Sequence, residues 1–167
     1  MTAISSGEVP SPPVDDARTF AVVYAELYPR MVRLARLSLS GEANAGSAEE
    51  IVQDAFVQLF RNWDRVDSPT AWLRIAVMNG CRSWGRRRQV RRRHPVAPAA
   101  PVVDDADALA VRDALRALNP RQRAAVLLRY FEDLPEREIA EVLGCRPGTV
   151  KSLLARSLVC LREVLDD

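Results

Sequence analysis

Asn119–Leu161, NPRQRAAVLLRYFEDLPEREIAEVLGCRPGTVKSLLARSLVCL, decides the fold. Asn119-Pro120 is an N-cap followed by Pro at the first helical position, where the missing N–H costs nothing. Ala124, Leu127, Leu128 and Phe131 then follow the i, i+3, i+4, i+7 spacing of one helix face. Leu134-Pro135 starts a second, short helix with Ile139, Ala140 and Leu143 inward. Gly144 is the residue that reverses the chain, because a sharp helix end needs positive φ without a Cβ penalty. Pro147 opens a third helix with Val150, Leu154 and Leu161 inward. Spacing, caps and turn agree on a helix-turn-helix, whose second helix can enter the major groove of DNA.

The 167 residues suffice for one domain or two small ones. The 24 basic and 22 acidic residues nearly cancel, so their distribution says more than their sum. Lys151 is the only lysine, and nearly all positive charge is arginine, which bonds phosphate and guanine in pairs. A GC-rich genome would produce the same bias. Cys81, Cys145 and Cys160 lack paired spacing, and His94 is the one histidine, so the set is poor for a metal. Three reduced, mostly buried thiols are expected. No Ser/His/Asp constellation and no phosphate-binding glycine loop is present, so neither a catalytic site nor a cofactor is expected. No stretch is apolar enough to span a bilayer, and the N-terminus does not read as a signal peptide; a cytoplasmic protein is expected.

Upstream, residues 1–14 are small, polar and rich in proline, and read as a disordered extension. Asp15 or Asp16 caps a helix to about Ser40, which Pro29 should kink or divide. Gly41–Gly46 reads as a loop. Ser47-Ala-Glu-Glu50 reads as a capping box for a helix ending near Trp63. Val52, Phe56, Leu59 and Trp63 share one face of it; Glu50, Gln53, Asp54, Val57 and Arg61 lie largely on the other. Ser68-Pro69 caps a further helix to about Arg88, weakened in its second half by Gly80 and Gly85. Arg86–Arg93 is RRRQVRRR. Residues 94–105, rich in Pro and Ala and then acidic, read as an interdomain linker. A helix from about Ala106 to Leu118 leads into the helix-turn-helix. The expected fold is all-α: two small helical domains, residues 15–93 and 106–167, on a flexible linker.

Three blocks in this order carry a family resemblance: AEEIVQDAFVQLFRNW at Ala48–Trp63, WLRIAVMNGCRSWGRRR at Trp72–Arg88, and LRYFEDLPEREIAEVLGCRPGTVKS at Leu128–Ser152. The chain resembles a group IV sigma factor of bacterial RNA polymerase, the extracytoplasmic-function (ECF) type. The last block is similar to a short actinobacterial subgroup. The resemblance spans roughly Phe20 to Leu165.

It implies a non-enzymatic subunit that binds core polymerase, through its β and β′ subunits, and directs initiation at promoters. Residues 15–93 would be sigma region 2. Its second helix would dock on the β′ clamp helices through Gln53, Asp54 and Val57, beside Glu50, Gln58 and Arg61. The helix Pro69–Arg88 would read the −10 element, where unstacked bases need a basic groove, apolar walls and a pocket. Val66–Thr70, with Asp67 and Ser68, would be its specificity loop. Asn79 matches the family's Asn there, and Arg82, Arg86 and Arg87 would face the backbone. Trp84 is either a base-stacking residue or a core residue, and Arg91–Arg93 either a phosphate contact or the start of the linker. Residues 106–167 would be region 4, reading the −35 element through Arg146, Thr149, Lys151, Ser152 and Arg156. Family membership also admits an anti-sigma factor as partner, which no residue here identifies.

The chain departs from the family at Leu153, usually polar or basic, and at Leu158-Val159-Cys160. Leu153, Cys160 and Val164 recur at helical spacing beyond the row Val150, Leu154 and Leu161. Either the core is wider than usual or an apolar stripe is open to a partner. Two other functions compete with the sigma reading. A response-regulator type of DNA-binding protein would need strand signals in its N-terminal half, which reads as helix throughout. An interaction protein that does not read DNA has only the altered third helix in its favour.

Overall fold

The computed structural model describes residues 14–40, 45–91 and 106–165, and side chains over nearly all of these. The expected N-terminal extension before Val14 and the linker at 94–105 lie outside the described residues. Those residues are helical, with no strand among them: α1 (Val14–Leu39), α2 (Ala45–Arg61), α3 (Pro69–Arg91), α4 (Ala106–Ala117), α5 (Pro120–Val126), α6 (Glu136–Leu143) and α7 (Pro147–Leu165). A 3-10 turn, Trp63–Arg65, joins α2 to α3, and a π-helical turn, Leu127–Phe131, extends α5.

Helices α1, α2 and α3 pack against one another, and α4, α5 and α6 gather around α7. In the first group Met31, Leu34, Val52, Leu59, Leu73 and Val77 are fully buried. Each such side chain is worth about 1.5–3 kcal/mol over its exposed state. In the second group Leu118, Leu128, Ile139 and Val150 hold the same place. The buried apolar residues of both groups form one continuous cluster.

Three local expectations change. α1 runs through Pro29 undivided. Pro29 is on the exposed face, where water can satisfy the carbonyl that lost its N–H partner, and Leu27 and Met31 anchor the helix on either side. α2 begins at Ala45, so Ser47 stands inside the first turn and is not the N-cap. Ala45 and Ala48 are strong helix formers, and buried Ala48 holds that turn down. α3 continues past Gly80 and Gly85 to Arg91. At Gly80 an added Cβ would lie 2.6 Å from Ile51 Cγ2, so the glycine is what lets α2 and α3 approach.

The helix-turn-helix forms as its sequence dictates. The Asn119 side chain accepts from Arg121 N (3.1 Å) and Gln122 N (2.9 Å), and Gln122 Oε1 accepts from Asn119 N (3.1 Å), closing a capping box. Gly144 has φ 61°, and Cys145 N–H bonds the Ala140 carbonyl at 3.0 Å to end α6.

Candidate nucleic-acid interface

The loop Val66–Ser68 and the first turns of α3 enclose an open cleft of about 400 Å³. Its walls are Asn62, Arg65, Val66, Asp67, Ser68, Ala71, Trp72 and Ile75. The Ser68 side chain accepts from Ala71 N at 3.4 Å, and Trp72 N–H bonds the Ser68 carbonyl at 3.0 Å, so Ser68 both starts α3 and shapes the cleft. Asn62 Nδ2 donates to the Gln58 carbonyl at 2.8 Å and fixes the opposite wall to the end of α2. The cleft thus combines an indole and aliphatic wall with amide, guanidinium and carboxylate groups. That mixture suits a planar, polar-edged ligand such as an unstacked nucleobase. Of the residues lining the cleft, the sequence singled out Asp67 and Ser68; Asn62, Arg65, Trp72 and Ile75 join them only through the loop's curvature.

From the cleft, Ile75, Asn79, Arg82 and Arg86 run down α3 at i, i+4, i+7 and i+11, all exposed. Arg82 Nη2 donates to Asn79 Oδ1 at 3.3 Å, and exposed Arg87 stands further round the helix. Trp84 is half-buried against the core, with the Arg88 guanidinium 5.3 Å from its ring centre, so its indole supports the basic stripe from beneath. The side chains of Arg91–Arg93 lie outside the described residues.

On α2, Glu50, Gln53, Asp54, Val57, Gln58 and Arg61 are all exposed. At about 100° per residue they occupy one face, opposite the buried Val52, Ala55, Phe56 and Leu59. Phe60 borders that face and was missed. It is 63% exposed, next to Val57 at 49%, and its ring meets Phe20 edge-on at 5.0 Å. A large exposed aromatic held by a neighbour is the usual form of an interface anchor. Its signal was available: Phe60 falls outside the i, i+3, i+4, i+7 row of the buried residues.

On α7, Ser152 points directly away from the buried Val150–Leu154 row; Arg156 and Thr149 flank it on one side, Ala155 and Lys151 on the other. All of these, and Arg146 just before the helix, are exposed. Ser152 Oγ donates to the Gly148 carbonyl at 3.1 Å, which leaves its lone pairs as acceptors. Leu153 and Cys160 pack partly buried against the core, whereas Val164 is exposed. Leu153 sits about 60° from the centre of the buried stripe, close enough for its γ-branch to reach inward. Val164 points the same way but is exposed at the far end of α7. The core is therefore wider than the row Val150, Leu154 and Leu161, and only the far end of the stripe is open.

Of the thiols, Cys81 alone is buried; Cys145 and Cys160 are half-buried. Burial pushes the Cys81 thiol up to about 12, only partly offset by a hydrogen bond with Ser38.

Sigma-70 region 2 matches residues 23–91, and sigma-70 region 4 matches residues 108–161. The chain is 35% identical over 127 residues to RNA polymerase sigma-E factor of Streptomyces avermitilis, a match covering 71% of each. It is 32% identical over 160 residues to ECF RNA polymerase sigma factor SigM of Mycobacterium tuberculosis, covering 90% of this chain and 79% of SigM. Among solved structures, sigma factor RpoE in complex with the anti-sigma factor NepR from Bartonella quintana superposes with a TM-score of 0.71 at 23% identity, covering 87% of this chain and 97% of that one. CnrH in complex with the cytosolic domain of CnrY superposes with a TM-score of 0.66 at 24% identity, covering 90% and 89%. These two are likenesses of fold.

Proposed function

The chain belongs to the extracytoplasmic-function sigma factors of RNA polymerase, and from that premise we propose how its own residues divide the work of promoter-specific initiation. As a sigma factor it confers promoter choice on core polymerase. Region 2 spans residues 15–93 and region 4 residues 106–167 in this reading, joined through 94–105. Sigma factors are not enzymes, and this chain acts by binding alone, in the cytoplasm where polymerase and promoter meet. No described helix is long and apolar enough to cross a membrane.

The exposed face of α2 docks on the polymerase β′ subunit through Gln53, Asp54 and Val57, with Glu50, Gln58 and Arg61 at the rim and Phe60 as anchor. The cleft at the start of α3 holds an unstacked base of the −10 element, with Asp67 and Ser68 at its mouth. Asn79, Arg82, Arg86 and Arg87 track the single strand. Arg146, Thr149, Lys151, Ser152 and Arg156 read the −35 element. The observation that carries this reading is the cleft continuing into the stripe Ile75–Arg86: a base pocket opening onto a basic track. A protein partner of the anti-sigma class fits the same reading, since one fold neighbour, RpoE of Bartonella quintana, is a sigma factor held by the anti-sigma factor NepR.

Run-off transcription with purified core tests the assignment. The chain should bind duplex promoter weakly alone, because each small reader is weak and only a shared scaffold raises effective concentration. With core it should give a specific transcript. Lys151→Ala and Arg156→Ala should lower that transcript. Where the replaced side chain bonds phosphate, the salt slope falls by about one unit; where it bonds a base edge, about 1–3 kcal/mol of discrimination at one position disappears. No specific transcript from any promoter that depends on the protein in cells, or wild-type output from both variants, refutes the assignment.

A further inference from the structure

The carboxylate of Glu132 has 0% side-chain exposure and receives Arg30 Nε at 2.9 Å and Arg74 Nε at 2.5 Å. Glu132 belongs to the region 4 side, whereas Arg30 is on α1 and Arg74 on α3. A buried acid thus finds its two cations in the other half of the molecule. The π-helical turn causes this: its wider turn, closed by Glu132 N–H on the Leu127 carbonyl at 3.0 Å, delivers Phe131 and Glu132 onto α1 and α3. Beside it the Arg33 guanidinium lies 5.7 Å from the Phe131 ring centre. Further along the seam, buried Arg123 spends Nη1 on the Ser38 carbonyl at 3.0 Å, and Arg116 Nε reaches the Ser40 carbonyl at 3.2 Å. These ion pairs and hydrogen bonds border an apolar cluster that continues through both halves, so the seam is mixed and the polar contacts are the part of it that a single substitution can remove.

This closed arrangement does not cover the DNA faces: Asn79, Arg82, Arg86, Thr149, Ser152 and Arg156 all stay exposed. It constrains reach instead. A compact chain of this length has a radius of gyration of about 15 Å, so it spans on the order of 40 Å. Elements centred 10 and 35 base pairs upstream stand roughly 85 Å apart at ~3.4 Å per pair. Residues 92–105, extended, reach at most ~46–50 Å, which is enough only if the two halves separate.

We propose that Glu132, clamped by Arg30 and Arg74, is an autoinhibitory latch that holds region 4 shut against region 2 in a form unable to span a promoter. The latch rests on the sigma-factor reading for its consequence, but not for its mechanics. Two guanidiniums converge on one carboxylate, so neutralising that carboxylate leaves two like charges facing each other. Both cations that the Glu132 side chain pairs with are across the seam, so its replacement breaks the ion pairs between the halves and leaves the packing within region 4 in place.

Small-angle scattering of free Glu132→Gln, Arg30→Gln and the exposed control Glu141→Gln tests the mechanics without polymerase. The first two should expand from about 15 Å toward 20 Å or more in radius of gyration, and the control should match wild type. Run-off transcription tests the consequence. Half-maximal initiation should need about three- to tenfold less Glu132→Gln than wild type, because the competent fraction has risen. Wild-type scattering from both latch variants overturns the proposal; so does expansion with unchanged or weaker initiation. If Glu132→Gln loses helicity, Arg30→Gln, altered on a part-exposed α1 site, decides alone. Expansion of the variants beside a wild type that never initiates supports the latch and refutes only the sigma reading.

Discussion

Gly80 of α3 and Ile51 of α2 sit so close that a methyl group on the glycine would lie 2.6 Å from Ile51 Cγ2. Real carbon pairs do not approach that far, and a β-branched side chain has few rotamers with which to yield. Gly80→Ala gains about 1 kcal/mol of helix propensity but overpacks the α2–α3 contact by about 1–3 kcal/mol. The expected result is a net loss of thermal stability in region 2. Differential scanning of wild type and variant checks it; a higher melting temperature for Gly80→Ala would show that Ile51 moves freely.

Cys81 should be inert where the other thiols are not. A thiol held up to about 12 stays protonated at neutral pH, and the protonated form is a poor nucleophile. Its folded pKa lies above the unfolded value near 8.5. The folded state therefore keeps its proton longer, and the associated stability is complete below about pH 8.5 and is lost as pH rises toward about 12. Iodoacetamide at pH 8 should modify Cys145 and Cys160, both half-exposed, and leave Cys81 intact until denaturant is added. Peptide mapping that finds native Cys81 alkylated at the same rate contradicts this.

The exposed face of α2 gives a sharper test than its polar residues alone. Gln53→Ala with Asp54→Ala should weaken core binding, and Phe60→Ala should weaken it at least as much, each within the about 1–4 kcal/mol typical of interface residues that matter. None should unfold the domain, because Phe60 is 63% exposed and the other two point away from Val52 and Phe56. Fluorescence titration of labelled protein with core, beside circular dichroism, measures both. Unchanged affinity with intact helicity would mark this face as ordinary solvated surface.

What the sequence made legible was local. Asn119-Pro120, Leu134-Pro135 and Gly144 encode the helix-turn-helix because caps and turns depend on residues a few positions apart. Ser68-Pro69 did the same for α3. The exposed faces of α2 and α7 followed from periodicity. What stayed hidden depends on partners distant in the chain. Glu132 carried no signal of its own in the sequence, since its cations lie 102 and 58 positions away. Gly80 read as a weakness in α3 because Ile51, the reason for it, is on another helix. Ser47 read as a cap because Ala45 carries no capping signal of its own, though it begins the helix. Asn62, Arg65, Trp72 and Ile75 became one cleft only through the path of the 3-10 turn between α2 and α3.

Leu153 interrupts the polar run of Thr149, Lys151, Ser152 and Arg156 on α7, and its surroundings fix what a charge there should do. The side chain is half-buried against the core of region 4, and the carbonyl of Leu153 accepts from buried Ser157 Oγ at 2.7 Å. Removing that apolar packing should cost about 1–2 kcal/mol, at the lower end of full side-chain burial. Arginine has a stem long enough to lift its head to water, so the cost should stay in that range and not reach that of a trapped charge. Leu153→Arg should therefore melt several degrees below wild type, as expected for a domain of this size. Leu153→Met, close in volume, should melt near wild type. Promoter binding by Leu153→Arg with core, measured well below the melting point, separates packing from DNA recognition. If the arginine reaches phosphate, binding strengthens despite lower stability. If Leu153 were surface for a partner, the variant would melt like wild type, and that result would overturn the packing assigned to it.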